Sequence, residues 1–195
     1  MTAPDIILAS ASPRRCELLA QIGVSFQQQV AEIDETPRRG EPPGDYVARV
    51  ALEKAQTVHR QRQSAVPVLG ADTAVVVDRQ ILGKPRDAAH ARDMLRMLSG
   101  RAHEVYSAVA LAGAREAVAV NCSKVWFAAI GDGEIDAYWR SGEPRDKAGG
   151  YAIQGLAAAF ITRLDGSYSG VMGLPLYETA RLLQDFGIQV LGQHT

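Results

Sequence analysis

The stretch from Val66 to Val77, Val-Pro-Val-Leu-Gly-Ala-Asp-Thr-Ala-Val-Val-Val, constrains the fold more than any other part of the chain. Its apolar residues run together instead of alternating, which is the pattern of a strand covered on both faces. Asp72 sits inside that strand. A carboxylate there is costly unless it is hydrogen-bonded, paired with a cation or holding a metal. Two readings follow. Either Asp72 works as a base or metal ligand, or Gly70 marks a bulge and Asp72 caps local backbone.

Around this strand the pattern alternates between strands and helices. Residues 6–10 read as a buried strand, 13–23 as a helix ending at Gly23, and 24–30 as a weak strand. Residues 31–44 hold Pro37, Gly40, Pro42, Pro43 and Gly44 and read as a loop. A long helix is expected over 45–62, a turn at Asp78-Arg79-Gln80, and a helix over 87–98. Residues 103–112 and 117–130 read as a hairpin turning near Gly113-Ala114-Arg115. Then come a helix at 132–141, an irregular stretch at 145–158, a strand near 159–164, a loop at 166–173, a helix at 175–186 and a last strand at 188–191. The fold class is α/β with a mixed sheet, expected as one domain over 1–195.

Composition narrows the function. Net charge is −1 with no long basic run, so no nucleic-acid partner is expected. No apolar run approaches the roughly 20 residues of a membrane helix, and the first fifteen residues lack signal-peptide order. Cys16 and Cys122 form neither a disulfide framework nor a metal-spaced cluster, and His59, His90, His103 and His194 are scattered. Reduced thiols and a cytoplasmic location are the expectation.

Several charges stand where a chain would normally avoid them. Ser12 suits a helix N-cap and Pro13 the first helical position, but Arg14 and Arg15 then load cations onto the positive end of the helix dipole. Either an anion such as a phosphate binds there, or both arginines point into water. Lys54 falls on the apolar stripe of Val47, Ala51 and Val58, where it needs a carboxylate, an anion or a route for its stem to the surface. Lys84 lies in Gly83-Lys84-Pro85, and Glu32, Asp34 and Glu35 form an acidic knot that either holds a hard cation or is simply solvated. Taken together, these charges describe a metal-assisted site for a polyphosphate.

The motifs Leu8-Ala9-Ser10-Ala11-Ser12-Pro13-Arg14-Arg15, Glu53-Lys54-Ala55, Gly70-Ala71-Asp72-Thr73 and Gly83-Lys84-Pro85 occur in that order. They are followed by Asp146-Lys147-Ala148-Gly149-Gly150-Tyr151-Ala152-Ile153-Gln154-Gly155, Gly166-Ser167-Tyr168 and Gly173-Leu174-Pro175-Leu176. The chain thereby resembles the Maf family of nucleoside triphosphate pyrophosphatases over nearly its whole length. The resemblance implies an elongated mixed sheet flanked by helices, with two lobes around a cleft, similar to inosine triphosphate pyrophosphatases. It implies hydrolysis of a nucleoside triphosphate to a monophosphate and pyrophosphate with Mg²⁺ or Mn²⁺, and a homodimer.

Residue by residue, Asp72 resembles the family's proton acceptor, with Lys54 and Lys84 as further catalytic positions. Ser10, Arg14, Arg15, Thr73 and Gln154 match substrate-binding positions; Arg14, Thr73 and Gln154 among them are linked to substrate choice. Asp34-Glu35 fits the family's acidic position, with either acid able to take the role, and Glu35 with Asp72 is the expected metal-binding pair. Tyr151-Ala152-Ile153-Gln154-Gly155 is similar to the branch preferring dTTP and UTP, and a Glu-containing sequence would mark the branch acting on 7-methyl-GTP. Ala11 and Ala157-Ala158 stand where the family often has glycine. A different class of function, a non-catalytic nucleotide sensor regulating septum formation, would use the same pocket without needing an embedded acid.

Overall fold

The computed structural model describes residues 4–62 and 65–190. Seven strands form one mixed sheet in the order β2-β1-β3-β5-β6-β7, with β4 paired to β3 off this path. The strands are β1 Ile6–Leu8, β2 Phe26–Gln28, β3 Val68–Val77, β4 Gln80–Leu82, β5 Ala102–Ala112, β6 Glu116–Phe127 and β7 Ile161–Asp165. The helices are α1 Pro13–Gln21, α2 Pro43–Arg62, α3 Ala88–Leu98, α4 Asp132–Arg140, α5 Tyr168–Met172 and α6 Leu176–Asp185. Three 3₁₀ turns fill the irregular stretch, at Glu143–Asp146, Ala148–Gly150 and Leu156–Phe160.

β1 runs parallel to β2 and β3, whereas the β3–β4 and β6–β7 pairs are antiparallel. The β3–β4 turn places both Asp78 (φ 50°) and Arg79 (φ 65°) in the left-handed region, as a tight primed hairpin turn requires. β3 is buried along nearly its full length, as its unbroken apolar run demands.

The chain divides into two compact units. The first comprises Met1–Asp72, Ser107–Asn121 and Gly173–Thr195; the second comprises Thr73–Tyr106 and Cys122–Met172. In the first, Ile7, Ala9, Ala55, Val58, Val68 and Ala112 share a small core under α2. In the second, a larger core gathers Val75, Val77, Leu95, Leu98, Val105, Phe127, Ile135, Tyr138 and Tyr151.

Two local expectations are corrected. The 166–173 segment contains the short helix α5, started by the Ser167 hydroxyl, which accepts from the Gly170 N–H at 3.0 Å. No strand forms at 188–190, and residue 191 of that expected strand, like His194, lies outside the described residues. Gly70 serves a close approach between two elements. A Cβ built on it would lie 2.1 Å from the Ala51 carbonyl oxygen, so its lack of a side chain lets β3 pack directly against the backbone of α2.

Candidate active site

That close approach builds the first part of the site. Gly70 and Asp72 are two residues apart and share one strand face. Ala51 and Lys54 are three apart and neighbours on one helix face. With Gly70 against Ala51, Lys54 comes level with Asp72, and its ammonium donates to Asp72 Oδ1 at 2.9 Å. Both side chains are buried, Lys54 with 7% and Asp72 with 6% of its surface exposed. The same ammonium lies 3.0 Å from Glu35 Oε1, on a carboxylate half exposed to solvent. One lysine therefore bridges two acids.

Asp72 Oδ2 is buried and has no hydrogen-bond partner among the described residues. Burial pushes the Asp72 carboxyl above its ordinary range, against the opposing charges of Lys54 and Arg15. An orphaned oxygen on a buried carboxylate is costly in a resting fold, so it marks a position prepared for a proton, a cation or a water.

Of the acidic knot, Glu35 reaches Lys54. Asp34 Oδ1 instead accepts from the Thr36 N–H at 2.9 Å. The loop carrying Glu35 is latched to α2 by residues that the sequence reading missed. The Tyr46 hydroxyl donates to the Glu35 carbonyl at 3.0 Å. Arg49 donates to both oxygens of Glu41, at 2.6 and 2.8 Å, and to the Thr36 carbonyl at 3.2 Å. Hydrogen bonding from Arg49 pulls the Glu41 carboxyl down to about 2. Their signal was present in principle, since Tyr46 and Arg49 follow each other by three positions at the start of a helix that flanks the loop.

The two arginines of α1 part company. Arg15 turns inward: Nε donates to the Gly173 carbonyl at 2.8 Å and Nη1 to Ser10 Oγ at 3.1 Å. Burial lowers its pKa, with the Asp72 charge opposing that shift. Ser10 is itself buried and also accepts from the Ser12 N–H at 3.2 Å. Ser12 is the N-cap residue by backbone position but makes no side-chain cap bond. Arg14 is half-buried. Ser10, Arg15, Glu35, Lys54 and Asp72 are thus joined by hydrogen bonds, ion pairs or mutual charge within the first unit.

Thr73, Lys84 and Gln154 belong to the second unit. Thr73 is half-buried, next to Asp72 in the chain but on the opposite strand face. Lys84 is exposed, and the carbonyl of Gly83 before it accepts from the Gly149 N–H at 3.0 Å. Gly149 has φ 67°, and any side chain there would meet Val75 at 2.8 Å, so the Asp146–Gly155 motif packs tightly onto β3 beside the Lys84 turn. Gln154 is exposed on a turn that closes with the Gly155 N–H donating to the Ala152 carbonyl at 3.0 Å.

Among the described residues, no group of three or more His, Cys, Asp or Glu side chains could hold a metal ion. The donor set nonetheless fits Mg²⁺ or Mn²⁺ acting with a phosphate substrate. Such hard ions are held by one or two carboxylates with substrate oxygens and water completing the shell, and Glu35 and the open Oδ2 of Asp72 supply that much. No helix among the described residues is long and apolar enough to cross a membrane.

Residues 5–186 match the family described as Maf-like protein. A protein of Methylococcus capsulatus named dTTP/UTP pyrophosphatase is 54% identical over 191 residues, covering 96% of this chain and 95% of its own. Its namesake from Alkalilimnicola ehrlichii is 51% identical over 190 residues, covering 95% and 94%. Among solved structures, a HAM1 protein from Coxiella burnetii is similar in fold with a TM-score of 0.50 at 19% identity, covering 92% of this chain and 98% of that one. The family match is a single stretch running through both compact units, and the chain belongs to the Maf family.

Proposed function

We propose that this chain hydrolyses dTTP and UTP to the nucleoside monophosphate and pyrophosphate. The observation that carries the reading is the buried Asp72, fixed through one oxygen by Lys54 and open at the other. Its support from kinship is that relatives about half identical over nearly the whole chain bear the name dTTP/UTP pyrophosphatase.

Asp72 is the proton acceptor. A carboxylate with a raised pKa is better matched to taking a proton near neutral pH than a solvated one. Water attacks the α-phosphorus, its proton passes to Asp72, the bond between the α-phosphorus and the bridging oxygen breaks, and pyrophosphate leaves. Lys54 holds Asp72 in place and sets positive charge beside the reacting phosphate. Arg15 and Ser10, tied to each other, and Arg14 at the start of α1 bind phosphate oxygens with the helix N-terminus. Lys84 serves the leaving pyrophosphate. Glu35 and Asp72 are the carboxylates that would hold Mg²⁺ or Mn²⁺, which when bound neutralises phosphate charge and acts as a Lewis acid. Gln154, with both a donor and an acceptor, reads the O4 and N3–H edge of thymine or uracil, with Arg14 and Thr73 shaping that choice.

The same reading takes residues 1–195 as one Maf-like domain acting as a homodimer in the cytoplasm. The free thiols of Cys16 and Cys122 are in keeping with a reducing compartment. Pyrophosphate release across a nucleotide panel, with Mg²⁺ or Mn²⁺ and then with a chelator, tests the proposal. The expected result is fastest turnover on dTTP and UTP, lost with chelator. Preference for 7-methyl-GTP would move the chain to the sister branch. Tight nucleotide binding without any pyrophosphate release would make it a sensor.

A further inference from the structure

The turn that presents Gln154 leads into the 3₁₀ turn at Leu156–Phe160, whose first N–H groups, like those of any helix start, have no acceptor within it. Two side chains from outside supply acceptors to this stretch. The Ala152 N–H donates to the Tyr138 hydroxyl at 3.1 Å. On the other side of Gln154, the Leu156 N–H donates to Glu143 Oε2 at 2.9 Å and the Ala157 N–H to Glu143 Oε1 at 3.4 Å. The Tyr138 hydroxyl in turn donates to Glu143 Oε1 at 2.7 Å, which joins the two holds into one. Glu143 is itself anchored, since Lys147 donates to its carbonyl at 2.6 Å.

Gly155 shows how closely the carboxylate sits. A Cβ there would lie 2.1 Å from Glu143 Oε2. The acid therefore lies directly against the turn, one residue past Gln154, with its charge spent on backbone donors.

We propose that Glu143 and Tyr138 are positioning residues for base selection, holding the 152–157 turn so that the Gln154 amide faces the pyrimidine edge. This rests on the reading that Gln154 recognises the base. Hydrogen-bond recognition discriminates strongly only when the reading group is held in place, because a loose amide can turn to satisfy the wrong base.

The test measures kcat and KM for dTTP, UTP, dCTP and ATP, with Tm, on the full chain. The variants are Glu143→Gln, Tyr138→Phe, Gln154→Ala and the double Tyr138→Phe/Gln154→Ala. Either positioning variant is expected to raise KM for dTTP and to lower the dTTP-over-dCTP ratio of kcat/KM by roughly tenfold, the worth of one net hydrogen bond. The KM effect should exceed the kcat effect. In the double variant the ratio should fall no further than in Gln154→Ala alone, because all act through one group. Tyr138→Phe keeps the ring packed and decides the matter if Glu143→Gln does not fold. A lower Tm with an unchanged ratio would overturn the proposal, and so would additive losses in the double variant. If Gln154→Ala itself leaves the ratio intact, base reading by Gln154 fails, which is a separate outcome.

Discussion

Two polar clusters, one in each unit, are built in opposite ways. In the first, charge is buried against charge: Asp72 and Glu35 share Lys54, and Arg15 lies near enough to Asp72 for each to shift the other's pKa. Asp72 Oδ2 is left without a partner among the described residues. In the second unit, the buried His103 is neutral, with its Nδ1 unpartnered among the described residues, and the half-buried Glu143 has both oxygens bonded. His103 contacts the Tyr151 hydroxyl at 2.7 Å within an edge-to-face cluster with Phe127, and burial pulls its pKa down to about 4. Burial alone would raise Glu143, but bonds from Tyr138, Leu156 and Ala157 and the Lys147 charge outweigh it and hold it below the usual carboxylate range. A carboxylate with an open oxygen can still react, whereas one whose oxygens are filled can only hold a shape. Asp72 and Glu143 are thus the same chemical group put to different uses by their surroundings.

The largest expected effect strikes the charged side of this contrast. Lys54→Met leaves Asp72 buried without its nearest cation, and breaking such a pair costs roughly 3–5 kcal/mol. Urea unfolding at pH 7 measures this. A loss indistinguishable from an ordinary surface substitution would mean that charge is not what stabilises charge in the first unit.

The neutral side is broken by acid. His103 has a folded-state pKa of about 4 against an ordinary value of 6.5. Between those values the unfolded chain binds a proton that the folded chain refuses, so stability falls as pH drops through this window and is fully present above it. The full drop is about 3 kcal/mol at about 1.4 kcal/mol per pKa unit. Denaturant unfolding from pH 7 to pH 4 should show this slope, and His103→Phe should remove most of it. A parental slope in that variant would assign the acid sensitivity elsewhere.

Two glycines give the smallest and finest comparison. A Cβ at Gly70 or at Gly155 would meet an oxygen at 2.1 Å, but at Gly70 it is backbone carbonyl and at Gly155 the end of a side chain. Overpacking costs about 1–3 kcal/mol, with Gly70→Ala expected near the top of that range and Gly155→Ala near the bottom. Gly70→Ala should also depress turnover by spreading Lys54 from Asp72, whereas Gly155→Ala should act on nucleotide preference. Thermal unfolding paired with dTTP and dCTP kinetics checks both. Equal effects on the same readout would erase the distinction between the two regions.

What the sequence made legible follows from what has a period. The run from Val68 to Val77 and the stripe of Val47, Ala51 and Val58 are core patterns, so Asp72 and Lys54 stand out as interruptions in them. Their mutual contact was not legible, because it depends on the backbone approach at Gly70. Arg14 and Arg15 look equivalent in the chain; only the fold brings the Gly173 carbonyl, 158 residues away, to the second of them. The acidic knot offered three candidates, and the Asp34 bond to Thr36 removes one by purely local turn chemistry. Glu143 gave no signal of its own. Its partners are backbone N–H groups 13 and 14 residues later, and every residue type offers those alike. The strand expected at 188–191 does not form over 188–190, the part of it within the described residues, because a short run with no neighbouring strand there to pair with has nothing to hold it extended.

The account stands on Asp72 being the group that accepts the proton, and pyrophosphate release from dTTP by Asp72→Asn tests this most directly. Turnover should fall by roughly 100-fold or more in a protein that still folds, since the amide keeps the shape, with Tm lowered because the buried Lys54 loses one of its two carboxylates and keeps Glu35. Turnover close to the parent's in a folded Asp72→Asn protein would contradict it.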